Sequence, residues 1–428
     1  MILIAREERI IYSGARGMAS IELGVPVGRS QVFAIASITK MFTAALVVRL
    51  AEEGRLSLDD RLARFLPDFP GAGDVTLRQL LNHTAGISDR RVAPGPWPRD
   101  LTTAMLVADI ARRPRDFAPG TEQRYSNAGF ILLGAVIEQA TGKAWHVAMA
   151  EYFFTPLGLA RTGYAGVRAP VAGRVPGYSS SPSRQDVLTA FSNPAVPGAA
   201  GGLIATADDL AQWMRALASG RAIGSAGYAE MARPPALPGG PSRDPYGLGM
   251  YIWRVRGETM VGHTGQIDGF ASALAYLPGP NVTIVILAND DNLDARGMAR
   301  RLAAIALGNP YSEPVPQPFA PEEIASLVGT YRVDPTTTLT LSQREGALYA
   351  QRSQRNPVPL QKARNGDLHF MPDELTYFRP VRSADGAVVR LDYFRDGDGP
   401  PISYPRIPEP APSAVAPRRL HAPAISDS

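Results

Sequence analysis

Two segments of this chain are too apolar to lie on a protein surface. Residues 33–54 read FAIASITKMFTAALVVRLAEEG, and residues 125–142 read YSNAGFILLGAVIEQATG. Each closes on a glycine, Gly54 and Gly142, the residue that most easily adopts the left-handed turn after a helix. A helix without a polar face belongs in a core. Further helices are expected after Thr76 and Thr206, both placed to act as N-caps, and at 102–112 and 295–307. Residues 257–263, 270–277 and 282–289 read as strands, as does a short N-terminal pair around a turn at Arg6–Glu8. The strands run mostly as adjacent hairpins. The expected fold class is therefore α/β of the α+β kind: an antiparallel sheet flanked by helices, not a doubly wound one, with a helical subdomain.

This pattern spans residues 1–308. The segment NPYSEPVPQPFAP, 309–321, reads as a proline-rich linker. From 322 to 406 the texture changes to short alternating runs, such as TTTLTLSQ and VVRLDYFRD, separated by turn signals. That is a small all-β domain. The final residues, 407–428, are rich in proline and alanine and are expected to be disordered.

Composition excludes several classes of function. The net charge is +4 over 428 residues, and no basic patch is interleaved with aromatics, so nucleic acid is not an expected partner. Cysteine is absent; there is no disulfide framework, no thiolate nucleophile and no cysteine metal site. The five histidines are scattered and form no H-E-x-x-H pair, so neither a metal nor a cofactor is expected. No apolar run is long enough to span a membrane. The N-terminal MILIAREERIIYSG is broken by charge too early for a signal peptide, and the chain reads as beginning inside a sheet. A periplasmic or secreted location is expected if a leader was removed, and a cytoplasmic one otherwise.

Lysine usage sharpens the reading. Of 44 basic residues only three are lysines, Lys40, Lys143 and Lys362. Lys40 falls inside the first apolar helix, where a buried ammonium costs several kcal/mol unless it is paired or neutralised. Arginine cannot lose its proton in a protein, whereas a desolvated lysine can. Ser37 lies three residues earlier, on the same helical face and about 5–6 Å away. A serine hydroxyl is a poor nucleophile until a base takes its proton, and a neutral Lys40 is such a base.

Two other short motifs can converge on this pair. Tyr125-Ser126-Asn127 opens the second apolar helix. A tyrosine beside an ammonium can hold a lowered pKa and exchange protons, and the asparagine amide can bond both a substrate amide and the lysine. His263-Thr264-Gly265 ends a predicted strand; its glycine lets a substrate backbone approach the strand edge. The N–H of Gln266 and that of Ser37 can together form an oxyanion hole. His83, in NHTAG, reads as structural. Asp89 and Arg90, with Arg91, read as solvated loop charge, and Asp208 and Asp209 as a helix first turn.

Taken in order, Ser-x-x-Lys, Tyr-x-Asn and His-Thr-Gly resemble the motif set of the serine β-lactamase and penicillin-binding-protein superfamily. The tyrosine form of the second motif is similar to the branch of class C β-lactamases, esterases and D-aminopeptidases. LLNHTAGI, AAGGLIATADDLAQW and YGLGM also fall where that branch has them. The 322–406 region more weakly resembles a lipocalin-like barrel appended to such hydrolases, with Gly329–Tyr331 its best match. The resemblance implies Ser37 as the acylated nucleophile, with Lys40 and Tyr125 handling protons. It implies that Asn127, His263, Thr264 and Gly265 bind substrate, and that the N–H groups of Ser37 and Gln266 hold the oxyanion. His263 stands where the family's penicillin-active members carry a lysine that recognises a carboxylate. A histidine of ordinary pKa is mostly neutral at pH 7, which argues against strong penicillinase activity. The expected function is a metal-free serine hydrolase forming an acyl-enzyme with a small amide, peptide or ester. A D-stereospecific amidase or peptidase leads, a carboxylesterase is close behind, and an acylated sensor without turnover is the alternative of another class.

Overall fold

The computed structural model describes residues 1–90, 101–164, 166, 170–181, 184–189, 193–240, 242, 244–353, 355–371 and 375–408. The chain divides into two compact units, the first Met1–Tyr311 and the second beginning at Ser312. The first is built on a six-stranded sheet. Its strands are β1 (Ile2–Arg6), β2 (Arg9–Gly14), β3 (Tyr251–Val255), β4 (Glu258–Ile267), β5 (Phe270–Leu277) and β6 (Val282–Ala288). Their order across the sheet is β3-β4-β5-β6-β1-β2, and every neighbouring pair is antiparallel. The N-terminal hairpin thus completes a sheet begun near the other end of the unit, with Ile4 opposite Ile284.

Both faces of this sheet are covered. Leu274, Val285 and Leu287 join the larger core, which also holds the helices α1 (Thr39–Glu52), α2 (Asn127–Thr141) and α3 (Ala207–Ala218). Ala273, Ala275, Ile284 and Ile286 pack instead with the alanines of α4 (Ala295–Ala306). Strands buried on both faces have no polar side to show, which is why β5 and β6 read as apolar runs broken only by Ser272 and Thr283.

The two apolar helices lie where their sequences require. In α1 only Arg49, Ala51 and Glu52 escape burial. Phe42 of α1 stacks on Trp213 of α3 with ring centroids 4.0 Å apart. Gly134 lets α2 settle on the Gly198–Ala200 turn, since a Cβ there would lie 2.7 Å from that of Ala199. The same turn faces α1: the Ala199 carbonyl accepts from Thr43 Oγ1 at 2.6 Å.

The boundaries differ from the sequence reading at two places that matter. The first apolar segment is not helical from its start. Phe33–Ala34 is a short strand, Ala36–Ile38 is one 3₁₀ turn, and the α-helix begins at Thr39. The strand expected to end at His263 continues to Ile267, so His263, Thr264 and Gly265 lie within β4. Pairing with β5 carries it on, with Gly265 opposite Ser272.

The second unit carries eight consecutive antiparallel strands, β7 (Gly329–Arg332), β8 (Thr338–Arg344), β9 (Ala347–Arg352), β10 (Val358–Ala363), β11 (Leu368–Phe370), β12 (Tyr377–Arg382), β13 (Val388–Phe394) and β14 (Ile402–Pro405). A bridge from Tyr331 to Arg406, with Ile407 N donating to Thr330 O at 2.8 Å, brings the last strand back to the first in a nearly closed barrel. Within the segment read as a linker, Pro316–Gln317 pairs with β10 and Pro321 opens a short helix. Most of the tail, from residue 409, lies outside the described residues. Among the described residues no helix is long and apolar enough to cross a membrane. Trp213→Ala removes the ring against which Phe42 stacks and should cost about 3–5 kcal/mol; a thermal melt with an unchanged midpoint would contradict this packing.

Candidate active site

Ser37 is held by close backbone contacts on both sides. The strand before it pairs with Leu203–Ala205, and Ile35 N donates to Leu203 O at 3.1 Å. The Ile35 carbonyl accepts from Ser272 Oγ at 3.0 Å. β4 presses on the same point: a Cβ on Gly265 would lie 2.3 Å from Ile35 O and 3.1 Å from Ala36 Cβ. The glycine is therefore needed for the approach of the protein's own chain. Ala36 adopts φ +45°, a left-handed conformation that costs an alanine about 1–3 kcal/mol. Ser37 follows directly, half-buried, on the 3₁₀ turn.

Lys40 is completely buried. Its Nζ lies 3.0 Å from Ser37 Oγ, 2.8 Å from Asn127 Oδ1 and 2.7 Å from the Ala200 carbonyl. Burial lowers its pKa to about 7, with Asp89 pulling weakly the other way. A neutral amine has two N–H bonds and one lone pair. Ala200 O can only accept, and so can Asn127 Oδ1, because Asn127 Nδ2 is turned to donate to Asp89 Oδ2 at 3.0 Å. Both N–H bonds are thereby used, and the lone pair is left for the Ser37 hydroxyl.

Tyr125 donates to the same oxygen, Oη to Ser37 Oγ at 2.8 Å. Its pKa is raised well above the usual phenol value, first by burial and then by Tyr251 and Asp89, against a lowering by the Ser37 bond. This reverses the lowered value expected from the sequence. That expectation required a standing positive charge at Lys40, and burial takes much of that charge away. Tyr125 is a protonated phenol at neutral pH and Lys40 is the group poised to accept.

The remaining motif residues divide. Asn127 is joined to Lys40 and lines the cavity with Ser37 and Gln266, a space of about 360 Å³. His263 is buried behind Tyr125, its ring 6.0 Å away, and is not among the side chains lining that cavity. Its Nδ1 lies 2.5 Å from Thr264 O and its Nε2 3.0 Å from Tyr246 Oη. The carbonyl accepts only, so Nδ1 carries the proton and Nε2 receives the Tyr246 hydroxyl. Burial, helped by Lys40, lowers the His263 pKa to about 3, and the ring is neutral. Thr264 is half-buried beside it. His83 is also buried; its Nδ1 accepts from Ser126 N at 3.2 Å, which bears on the placement of the Tyr-Ser-Asn turn. Ser126 caps α2 by accepting from Gly129 N.

Sequence reasoning missed two groups. The Ala200 carbonyl is backbone and leaves no signature in residue types. Asp89, read as solvated loop charge, instead accepts four hydrogen bonds at the start of α2. Ser126 Oγ (3.0 Å) and Ala128 N (2.8 Å) donate to Oδ1, while Asn127 N (2.9 Å) and Nδ2 (3.0 Å) donate to Oδ2. Arg90 N caps back to Ser88 Oγ, and Arg91 lies outside the described residues. Asp209 accepts from Thr162 Oγ1 and Arg161 N, and Asp208 pairs with Arg29, as structural carboxylates. Among the described residues no cluster of His, Asp or Glu is arranged to hold a metal.

Comparison with known proteins identifies the family. The family model described as Beta-lactamase matches residues 1–307. Esterase EstB of Burkholderia gladioli is 34% identical over 198 residues, 42% of this chain and 50% of that protein; this chain thus matches half the length of that relative. Penicillin-binding protein 4 of Amycolatopsis lactamdurans is 28% identical over 355 residues, 75% of this chain and 90% of that one. The crystal structure of a D-stereospecific amidohydrolase from Streptomyces sp. superimposes with a TM-score of 0.58 at 29% identity, covering 68% of this chain and 88% of that one.

Two outcomes follow from the geometry. With Lys40 titrating near 7 and active only when neutral, kcat/KM should fall about tenfold per pH unit below that value and level off above it; a profile flat down to pH 5 would contradict the assignment. Gly265→Ala should displace the Ile35–Ser37 turn and lower kcat by on the order of 100-fold, with wild-type kcat the result that contradicts it.

Proposed function

Because the chain belongs to the beta-lactamase family, we propose that it is a serine hydrolase working through an acyl-enzyme. The observation that supports this most strongly is the fully buried Lys40 Nζ, 3.0 Å from Ser37 Oγ and held by Asn127 Oδ1 and the Ala200 carbonyl. In this reading Lys40 Nζ takes the Ser37 proton as Oγ bonds to the substrate carbonyl carbon. The carbonyl oxygen becomes an oxyanion toward the backbone N–H groups of Ser37 and Gln266. Collapse breaks the bond to the leaving group, which receives the proton through the Lys40–Tyr125 pair. A water then attacks the acyl carbon, giving up its proton to the same base; collapse breaks the bond to Ser37 Oγ, which takes that proton back, and the free acid leaves. Thr264 and Gly265 shape the β4 side, and His263 supports Tyr246 and Tyr125 from behind instead of binding substrate charge.

The cavity favours a neutral acyl group. Leu106, Ala128, Ile131, Val196 and Ile267 contribute to its lining. The charged side chains that reach it are engaged: Arg113 bonds Asp109 and Ser88 O, and Asp89 already accepts four donors. A carboxylate has about four acceptor positions, so Asp89 has none left for a substrate ammonium. We therefore place a short-chain carboxylic ester ahead of an amino-acid amide as substrate. The D-amidase reading remains second, supported by similarity to the Streptomyces D-stereospecific amidohydrolase over most of that protein. The second unit, with its nearly closed sheet, is proposed to be the lipocalin-like appendage.

A panel of a nitrophenyl butyrate, D- and L-alanine anilides and a chromogenic cephalosporin decides between these. The ester should turn over fastest, and Ser37→Ala should lower its hydrolysis by on the order of 10³-fold or more. Full activity in Ser37→Ala would overturn the mechanism. A preference for the D-anilide would select the second reading, and one acylation burst without steady turnover would select a sensor.

A further inference from the structure

We propose that Asp89 is a positioning residue for the hydrolysis, fixing the Asn127 amide so that the lone pair of Lys40 faces Ser37. The proposal rests on the Ser37–Lys40 chemistry above and extends it to a residue that touches neither. An asparagine amide can present either end to a neighbour. Asn127 lies between Lys40 and Asp89, with Oδ1 2.8 Å from Lys40 Nζ and Nδ2 3.0 Å from Asp89 Oδ2. A carboxylate only accepts, so it selects the orientation with Nδ2 toward itself. Were the amide reversed, its N–H would seek the Lys40 lone pair, and a Lys40 N–H would turn toward Ser37. The base would then be present but misdirected.

Asp89 is itself held on both sides. Its oxygens accept from Asn127 N, Ala128 N and Ser126 Oγ, at the positive end of the α2 dipole. Its chain is tied through the preceding carbonyl, Ser88 O, which accepts from Arg113 Nη1 at 3.1 Å. Arg113 is in turn paired with the buried Asp109 at 2.5 Å. A chain of fixed partners thus runs from Asp109 through Arg113 and the Ser88 carbonyl to the neighbouring Asp89, and from it through Asn127 to the base. The titratable groups influencing or facing Lys40 are Tyr125, His83, His263 and Asp89. Burial keeps both histidines neutral and the phenol protonated, and Asp89 is the neighbour that raises the Lys40 pKa.

The test follows covalent labelling of Ser37 by a fluorophosphonate, read by mass spectrometry from pH 5 to 9, in the full chain. Asp89→Asn keeps the size of the side chain but puts an amide where only an acceptor fits. It should slow labelling by on the order of 10- to 100-fold at pH 8. Loss of the negative charge should also move the acid limb to lower pH, because a lysine without an anionic neighbour binds its proton less tightly. Asp89→Glu should recover part of the rate. Ser126→Ala removes a cap from the same helix without removing the Asn127 partner; it should lower the melting temperature and leave the limb in place. Wild-type rate and limb in Asp89→Asn would overturn the proposal, as would Asp89→Asn and Ser126→Ala behaving alike. No labelling at Ser37 in the wild type would instead overturn the nucleophile assignment, and this proposal with it.

Discussion

A primary amine sealed from water at Lys40 is the constraint on which the rest of the first unit depends. Desolvation removes much of its charge at neutral pH, and hydrogen bonding then decides where the remaining lone pair points. Neither effect is sufficient alone. Burial without the Ala200 and Asn127 acceptors would leave a neutral amine free to turn. The acceptors without burial would hold an ammonium, which has no lone pair to offer.

The fold explains why so many distant segments meet at one nitrogen. The 3₁₀ turn presents Ser37, α1 carries Lys40 into the core, α2 brings Asn127, and the Gly198–Ala200 turn brings a carbonyl. Gly134 permits the close approach of α2 to that turn, and Gly265 permits the approach of β4 to Ile35. Strain at Ala36 is tolerated because Leu203, Ser272 and Gly265 hold the segment on every side. Rigid packing of this kind suits a site whose proton transfers depend on tenths of an ångström. His83 and His263, both buried and neutral, serve it as wall and wedge.

Much of this was legible in residue types. Apolar length and terminal glycines marked α1 and α2, and the scarcity of lysine singled out Lys40. The Ser37–Lys40 spacing survived the change from α-helix to 3₁₀ turn, because side chains three apart are neighbours in both. Other features were hidden for physical reasons. The phenol of Tyr125 moves opposite to expectation first because it is itself buried, an effect that residue types do not report. The continuation of β4 past Gly265 is set by pairing with β5, a tertiary effect that local turn chemistry does not report. Asp89 stands far along the chain from the helix it caps, and nothing in the loop's composition distinguishes it from a solvated carboxylate.

The most direct measurement is the titration of Lys40 itself. Only three lysines are present, so protein labelled with 13C at lysine Cε should show three resonances, and Lys40→Arg identifies the one of interest. The account predicts that this resonance titrates near 7; Lys143 and Lys362, each in an ion pair with a glutamate, supply the other two signals. A Lys40 resonance that remains charged through pH 9 would contradict the central claim.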